Sequence, residues 1–96
     1  MRLLKNVTVI NTTDNNVEWS ENILGAEIES NDNGTTVIVK SNEEMPKEFY
    51  MRHNNGSRYR IQGTDDDGAF YRDNFRFTKE QKDHQLNIWY YTFYLQ

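Results

Sequence analysis

The chain has no cysteine, a single proline and no apolar run long enough to cross a membrane. Without cysteine, neither disulfides nor thiolate metal sites can staple the fold. The N-terminal MRLLKNVTV has no extended apolar segment and no small-residue cleavage site, so no signal peptide is expected. No stretch approaches the roughly 20 apolar residues of a membrane helix. The sequons at Asn6, Asn11, Asn33 and Asn55 carry little meaning without a secretory route. The expected location is the cytoplasm of a bacterium, or host cytoplasm if the chain is phage-encoded. Abundant Asn, Asp, Lys, Glu and Tyr beside one Pro is the composition that an AT-rich genome encodes.

What is present is aromatic. The chain has 96 residues, of which 14% are Phe, Trp or Tyr. A domain of this size buries only a little more than about 60% of its unfolded surface. Large rings bury much area each, so residues 1–96 can form one folded β domain. The charge, −4 in total, is uneven. Residues 1–46 hold three bases against eight acids, a net of −5; residues 47–96 hold eight against seven, a net of +1. The first half thus presents an acidic surface, which disfavours nucleic acid and favours a basic partner.

Strand patterns dominate. Residues 3–11 are β-branched and roughly alternating, and residues 17–22 read as either an irregular crossing or a short strand, with Trp19 as the anchor. Around the turn residues NDNG, pairing Ile28 with Val37 gives a hairpin with a four-residue loop. Leu24, Ala26, Ile28, Val37 and Val39 then share one face, and Glu27, Glu29, Thr36, Ile38 and Lys40 the other. After Pro46, residues 47–62 read as a second hairpin around Asn54, Asn55 and Gly56. That register aligns Phe49, Met51, Tyr59 and Ile61 inward, with Tyr50, Arg52, Arg58 and Arg60 outward. In AFYRDNFRF, alternation puts Tyr71, Phe75 and Phe77 on one side and Phe70, Arg72, Asn74 and Arg76 on the other. Thr78 and Gln81 resemble a capping box, which predicts a short helical turn near residues 79–83. The terminal LNIWYYTFYLQ is apolar on both faces. Trp89, Tyr91, Phe93 and Leu95 are expected in the core, and Tyr90 and Tyr94 outside. Six to seven such strands predict an all-β fold, either a small antiparallel sandwich or a partly open barrel.

Catalytic constellations are missing. His53 and His84 stand among charged loop residues, no serine elbow occurs, and no spacing pairs two carboxylates as acid and base. No enzyme activity and no cofactor are expected. Residues 63–74 approach an EF-hand loop, with Asp65 and Asp67 at its third and fifth positions, but the bidentate acid is replaced by Asn74. An acidic turn is the simpler reading of Asp65, Asp66 and Asp67.

The remaining classes are binding proteins. The leading expectation is a small protein-interaction module, such as an inhibitor or accessory protein encoded by a phage or mobile element. Glu18, Glu27 and Glu29 would steer a basic protein, and rings of Tyr50, Tyr90, Tyr91 and Tyr94 would anchor it. Self-association through the C-terminal strand is an equally economical use of the rings. The alternative is a nucleic-acid or carbohydrate binding module on a face of Arg52, Arg58, Arg60, Arg72 and Arg76 interleaved with rings.

Overall fold

Period-two alternation and scarce helix signals should yield strands, and they do. The computed structural model describes residues 2–50 and 56–96. Its elements are β1 (Arg2–Asn11), β2 (Val17–Trp19), β3 (Ile23–Asn31), β4 (Gly34–Ser41), α1 (Lys47–Tyr50), β5 (Tyr59–Asp65), β6 (Gly68–Asp83) and β7 (Ile88–Leu95). All pairings are antiparallel. The strands follow the order β1-β3-β4-β7-β6-β5, and β5 pairs again with β1, so six strands form a closed ring. The short β2 adds to the outside of that ring along β1.

Two long strands make the ring possible by turning a corner. β1 pairs through Arg2, Leu3 and Leu4 with β3, and its Val9–Asn11 end pairs with β2 instead. β6 runs beside β5 as far as Phe75, then beside β7 from Arg76 onward. Each strand has an asparagine with positive φ near its change of partner: Asn6 at 54° and Asn74 at 73°. Bulges of this kind bend a strand so that it can leave one sheet and enter another. Asparagine suits the left-handed region because its short polar side chain tolerates it better than other L-residues. Every described non-glycine residue with positive φ is in fact an asparagine.

Bulges also reset which side chains point inward, and three expectations change for that reason. Across Asn74 the phase slips, so Phe70 and Phe75 are both buried while Tyr71 is 58% exposed. A register shift between Ile23 and Gly25 pushes Leu24 outward, 55% exposed, and Ile23 packs on the core in its place. The shift between Phe77 and Lys79 sets Thr78 aside, its hydroxyl donating to the Thr92 carbonyl. Residues 79–83 are therefore the end of β6, paired with β7, and not a helical turn. Cross-strand pairing supplies more hydrogen bonds there than an isolated capped turn offers.

The hairpin of β3 and β4 keeps the expected Ile28–Val37 pair, but its ladder continues to Asn31–Gly34. The loop is consequently two residues, Asp32 and Asn33, rather than four. The second expected hairpin is replaced at its start by α1, whose first turn closes through the Phe49 amide on the Pro46 carbonyl at 3.0 Å. Proline's fixed φ suits a helix start. Phe49 is buried, but from a helix and not a strand. Met51, Arg52, His53, Asn54 and Asn55 lie outside the described residues. β5 pairs with β1 and β6, with Tyr59 and Ile61 buried.

Rings fill the interior. Tyr59, Phe75, Tyr91 and Phe93 are fully buried with Val9, Val37, Val39 and Ile61. Edge-to-face contacts link Tyr59 to Phe93 and Trp19 to Tyr91, each at 5.3 Å. Each fully buried ring contributes about 1.5–3 kcal/mol, a sizeable share of the roughly 5–15 kcal/mol net stability of an ordinary domain.

Candidate functional site

The interior leaves half of β7 unused. Trp89, Tyr91, Phe93 and Leu95 stand opposite Ser41, Val39, Val37 and Thr35 of β4 on the inner side. Tyr90, Thr92 and Tyr94 occupy the outer side, half-buried, as alternation predicts. Their neighbours form three rows across the sheet. Glu29, Thr36, Tyr94 and Arg76 make the first, and Glu27, Ile38, Thr92 and Lys79 the second. Gly25, Lys40, Tyr90 and Gln81 make the third. A stripe of Ile38 and two tyrosines thus runs between an acidic rim on β3 and a basic rim on β6. Within the acidic rim, Lys40 Nζ reaches Glu27 Oε1 at 2.6 Å. The Tyr94 hydroxyl donates to the Asn33 carbonyl, laying its ring along the hairpin turn.

Tyr91 is corrected from the expected surface anchors: it faces inward and is fully buried. Its phenol oxygen accepts the Met45 N–H at 2.7 Å and donates toward the Glu80 carboxylate. Burial, with that carboxylate beside it, pushes the phenol above its ordinary value. Glu80 points inward because the Thr78 bulge has shifted the phase, and its Oε2 is buried with no hydrogen-bond partner. Lys82, two residues on, sets its ammonium 5.0 Å from the Trp89 ring. Sequence reasoning missed both, because a helical turn was expected where β6 continues. The side chain of Tyr50 lies outside the described residues.

A second surface forms at the end of the ring that α1 covers. Trp19 of β2 donates its indole N–H to the Glu21 carbonyl and packs its ring 5.9 Å from Phe49 of α1. Ser41 bonds the Asn22 and Glu43 carbonyls, and the Asn42 amide also reaches Asn22. These contacts gather residues 17–22 and 42–49 into one cap around Met45 and Tyr91. Glu18, Glu21, Glu43, Glu44 and Glu48 all lie on it, exposed. Lys47 is the one base on these segments. Glu18 therefore belongs with this acidic end, whereas Glu27 and Glu29 belong with the tyrosine stripe.

The expected arginine face is dispersed. Arg60 points outward, bonded to Asp73 at 2.7 Å and lying 4.7 Å over Tyr71; the Asp73 hydrogen bond holds its guanidinium above the ordinary value. Arg72 pairs across from buried Ile61 and reaches Thr35 at the opposite end of the ring from α1. Arg76 lies beside Tyr94, and Arg58 bonds the Gly56 carbonyl near residues 12–13. The slip at Asn74 is what separates Arg72 from Arg60. Arg52 lies outside the described residues.

The acidic turn already holds a cation. Arg2 hydrogen-bonds and ion-pairs with Asp65, whose carboxylate also takes the Asp67 amide at 2.8 Å. The guanidinium keeps the Asp65 carboxyl below the usual range. Among the described residues no group of three or more His, Asp or Glu could hold a metal. His84 is exposed in the turn before β7, and His53 lies outside the described residues. No described helix is long and apolar enough to cross a membrane. Comparison with protein-family models, curated proteins and solved structures finds no match to this chain.

Proposed function

We propose that this chain is a non-enzymatic protein-interaction module that engages a basic protein through its acidic end, in the manner of a small phage or mobile-element inhibitor or accessory protein. One observation carries the reading: two segments far apart in sequence, 17–22 and 42–49, converge to expose five carboxylates around Trp19 and Phe49. Clustered like charges repel one another, so a fold that gathers them at one place favours a cationic partner there. We also read the six-strand ring as a small flattened barrel, 33 × 32 × 23 Å, since β1 and β6 each run through both of its sheets. Such closure gives the surfaces a rigid base. Among the described residues Arg58, Arg60, Arg72 and Arg76 do not share one face, which weighs against the nucleic-acid alternative.

The test uses the immobilised full chain and a nuclease-treated lysate of the source cell. The expected outcome is capture of a basic protein that is lost as salt rises. Charge reversal by E18K, E43K, E44K and E48K together should abolish capture while circular dichroism stays unchanged. Capture that survives this quadruple reversal, or no capture at all, defeats the reading.

A further inference from the structure

The outer sheet face has a property that the acidic end lacks: it is complementary to itself. We propose that a second copy of this chain covers it, related by a two-fold axis that runs along the strands between β4 and β7.

A two-fold along the strands keeps each row at its own height and exchanges left for right. Glu29 of one copy then meets Arg76 of the other, and Glu27 meets Lys79, because each pair already shares a row. The exchange happens twice, so four opposite-charge meetings close both rims. In the middle, Ile38 meets Thr92 and Lys40 meets the Tyr90 ring. A two-fold across the strands fails electrostatically: it stacks Glu27 on Glu27 and Lys79 on Lys79. Charge thus selects one axis of the two available to facing sheets.

Packing supports the same choice. Facing sheets lie about 10 Å apart with strands roughly aligned. The outward curve of the sheet carries the rims away from the partner, and the rims hold the long side chains Glu, Arg and Lys that can span the gap. Along the axis sit Ile38, Thr36 and Thr92 with the two tyrosines, whose half-buried rings the core does not need, and Lys40, whose ammonium leans away from the axis to Glu27. The axis also places both acidic ends at the same end of the dimer, since that end lies beyond the Lys40–Tyr90 row. The dimer would present two acidic caps side by side to a basic partner with more than one contact patch.

Charge-swap mixing tests this directly. Sedimentation equilibrium of the full chain should show a concentration-dependent dimer. E27K/E29K makes both rims basic and R76E/K79E makes both acidic, and each alone should weaken self-association about ten- to a hundredfold. Mixed in equal amounts, the two variants should restore a dimer, which native mass spectrometry identifies as mixed by its mass. A wild-type chain that stays monomeric to about 1 mM overturns the proposal. So does a mixture that stays monomeric, or a variant that dimerises as well as wild type. Charge reversal at the acidic end should leave the dimer intact, so failure here and failure of the partner reading are separate results.

Discussion

β7 carries rings on both faces, and the two sets lead different lives. Tyr91 and Phe93 are fully buried and wedged edge-to-face against Trp19 and Tyr59. Tyr90 and Tyr94, one residue away, lie half-exposed among Lys40, Arg76 and two threonines. Residue type does not separate them, since Tyr91 and Tyr90 are the same amino acid. Phase does. The inner rings hold the core together, whereas the outer rings are those we propose for association, so substitutions on the two faces should be read out by different instruments.

Phe93→Ala should have the largest effect, about 3–5 kcal/mol, because it opens a cavity beneath both Tyr59 and Phe77. Urea denaturation checks it, and a loss under about 1 kcal/mol would place Phe93 outside the critical packing. Tyr91→Phe keeps the ring but strands the Met45 amide and the Glu80 carboxylate, at about 1–3 kcal/mol. It also has a pH signature. The folded state holds the phenol neutral beyond its ordinary 10.0, so its contribution is complete below that pH. As pH climbs past 10 the unfolded chain ionises this tyrosine and the folded chain does not, so stability falls. Tyr91→Phe should therefore decline less steeply than wild type in alkaline denaturation; equal slopes would contradict the burial argument.

The phase that separates the faces can itself be attacked. Asn74→Val forces a β-branched residue to a φ of 73° and should cost about 1–3 kcal/mol, whereas Asn74→Gly should be neutral or slightly stabilising. Thermal melts of the two variants side by side decide it. The smallest stability effects belong to Tyr90→Ala and Tyr94→Ala, within about 1 kcal/mol. If either matches Phe93→Ala in the melt, the contrast between the faces collapses.

How much of this was legible beforehand depends on where the backbone is regular. Ile28 opposite Val37 and the division of β7 into Trp89–Tyr91–Phe93 and Tyr90–Tyr94 both follow from alternation, and no bulge interrupts either stretch. Leu24, Tyr71 and Arg72 fall on other faces than alternation predicts because a single bulged residue inverts the phase between the stretches on its two sides, and neither Ile23-Leu24-Gly25 nor Asp73-Asn74 carries an unambiguous mark of a bulge. Residues 79–83 show tertiary override: Thr78 and Gln81 resemble a cap, yet pairing with β7 decides their state. Phe49 was correctly expected inside, though by the wrong element. The acidic end was half visible. Composition showed the charge, but only the fold brings Glu18 and Glu21 beside Glu43, Glu44 and Glu48.

The position of β7 also bears on how the chain comes to be folded at all. It is the last strand in chain order, yet it lies between β4 and β6. While synthesis is still short of residue 88, those two strands wait with facing edges unpaired and with Val37, Val39 and Phe77 uncovered. Such edges template aggregation, and the β4–β7 pairing, which joins strands far apart in sequence, forms slowly. A chain halted there is not a smaller version of this domain. It is an open sheet, β4-β3-β1-β5-β6, lacking the strand that closes the ring, and closure must wait for that strand to arrive.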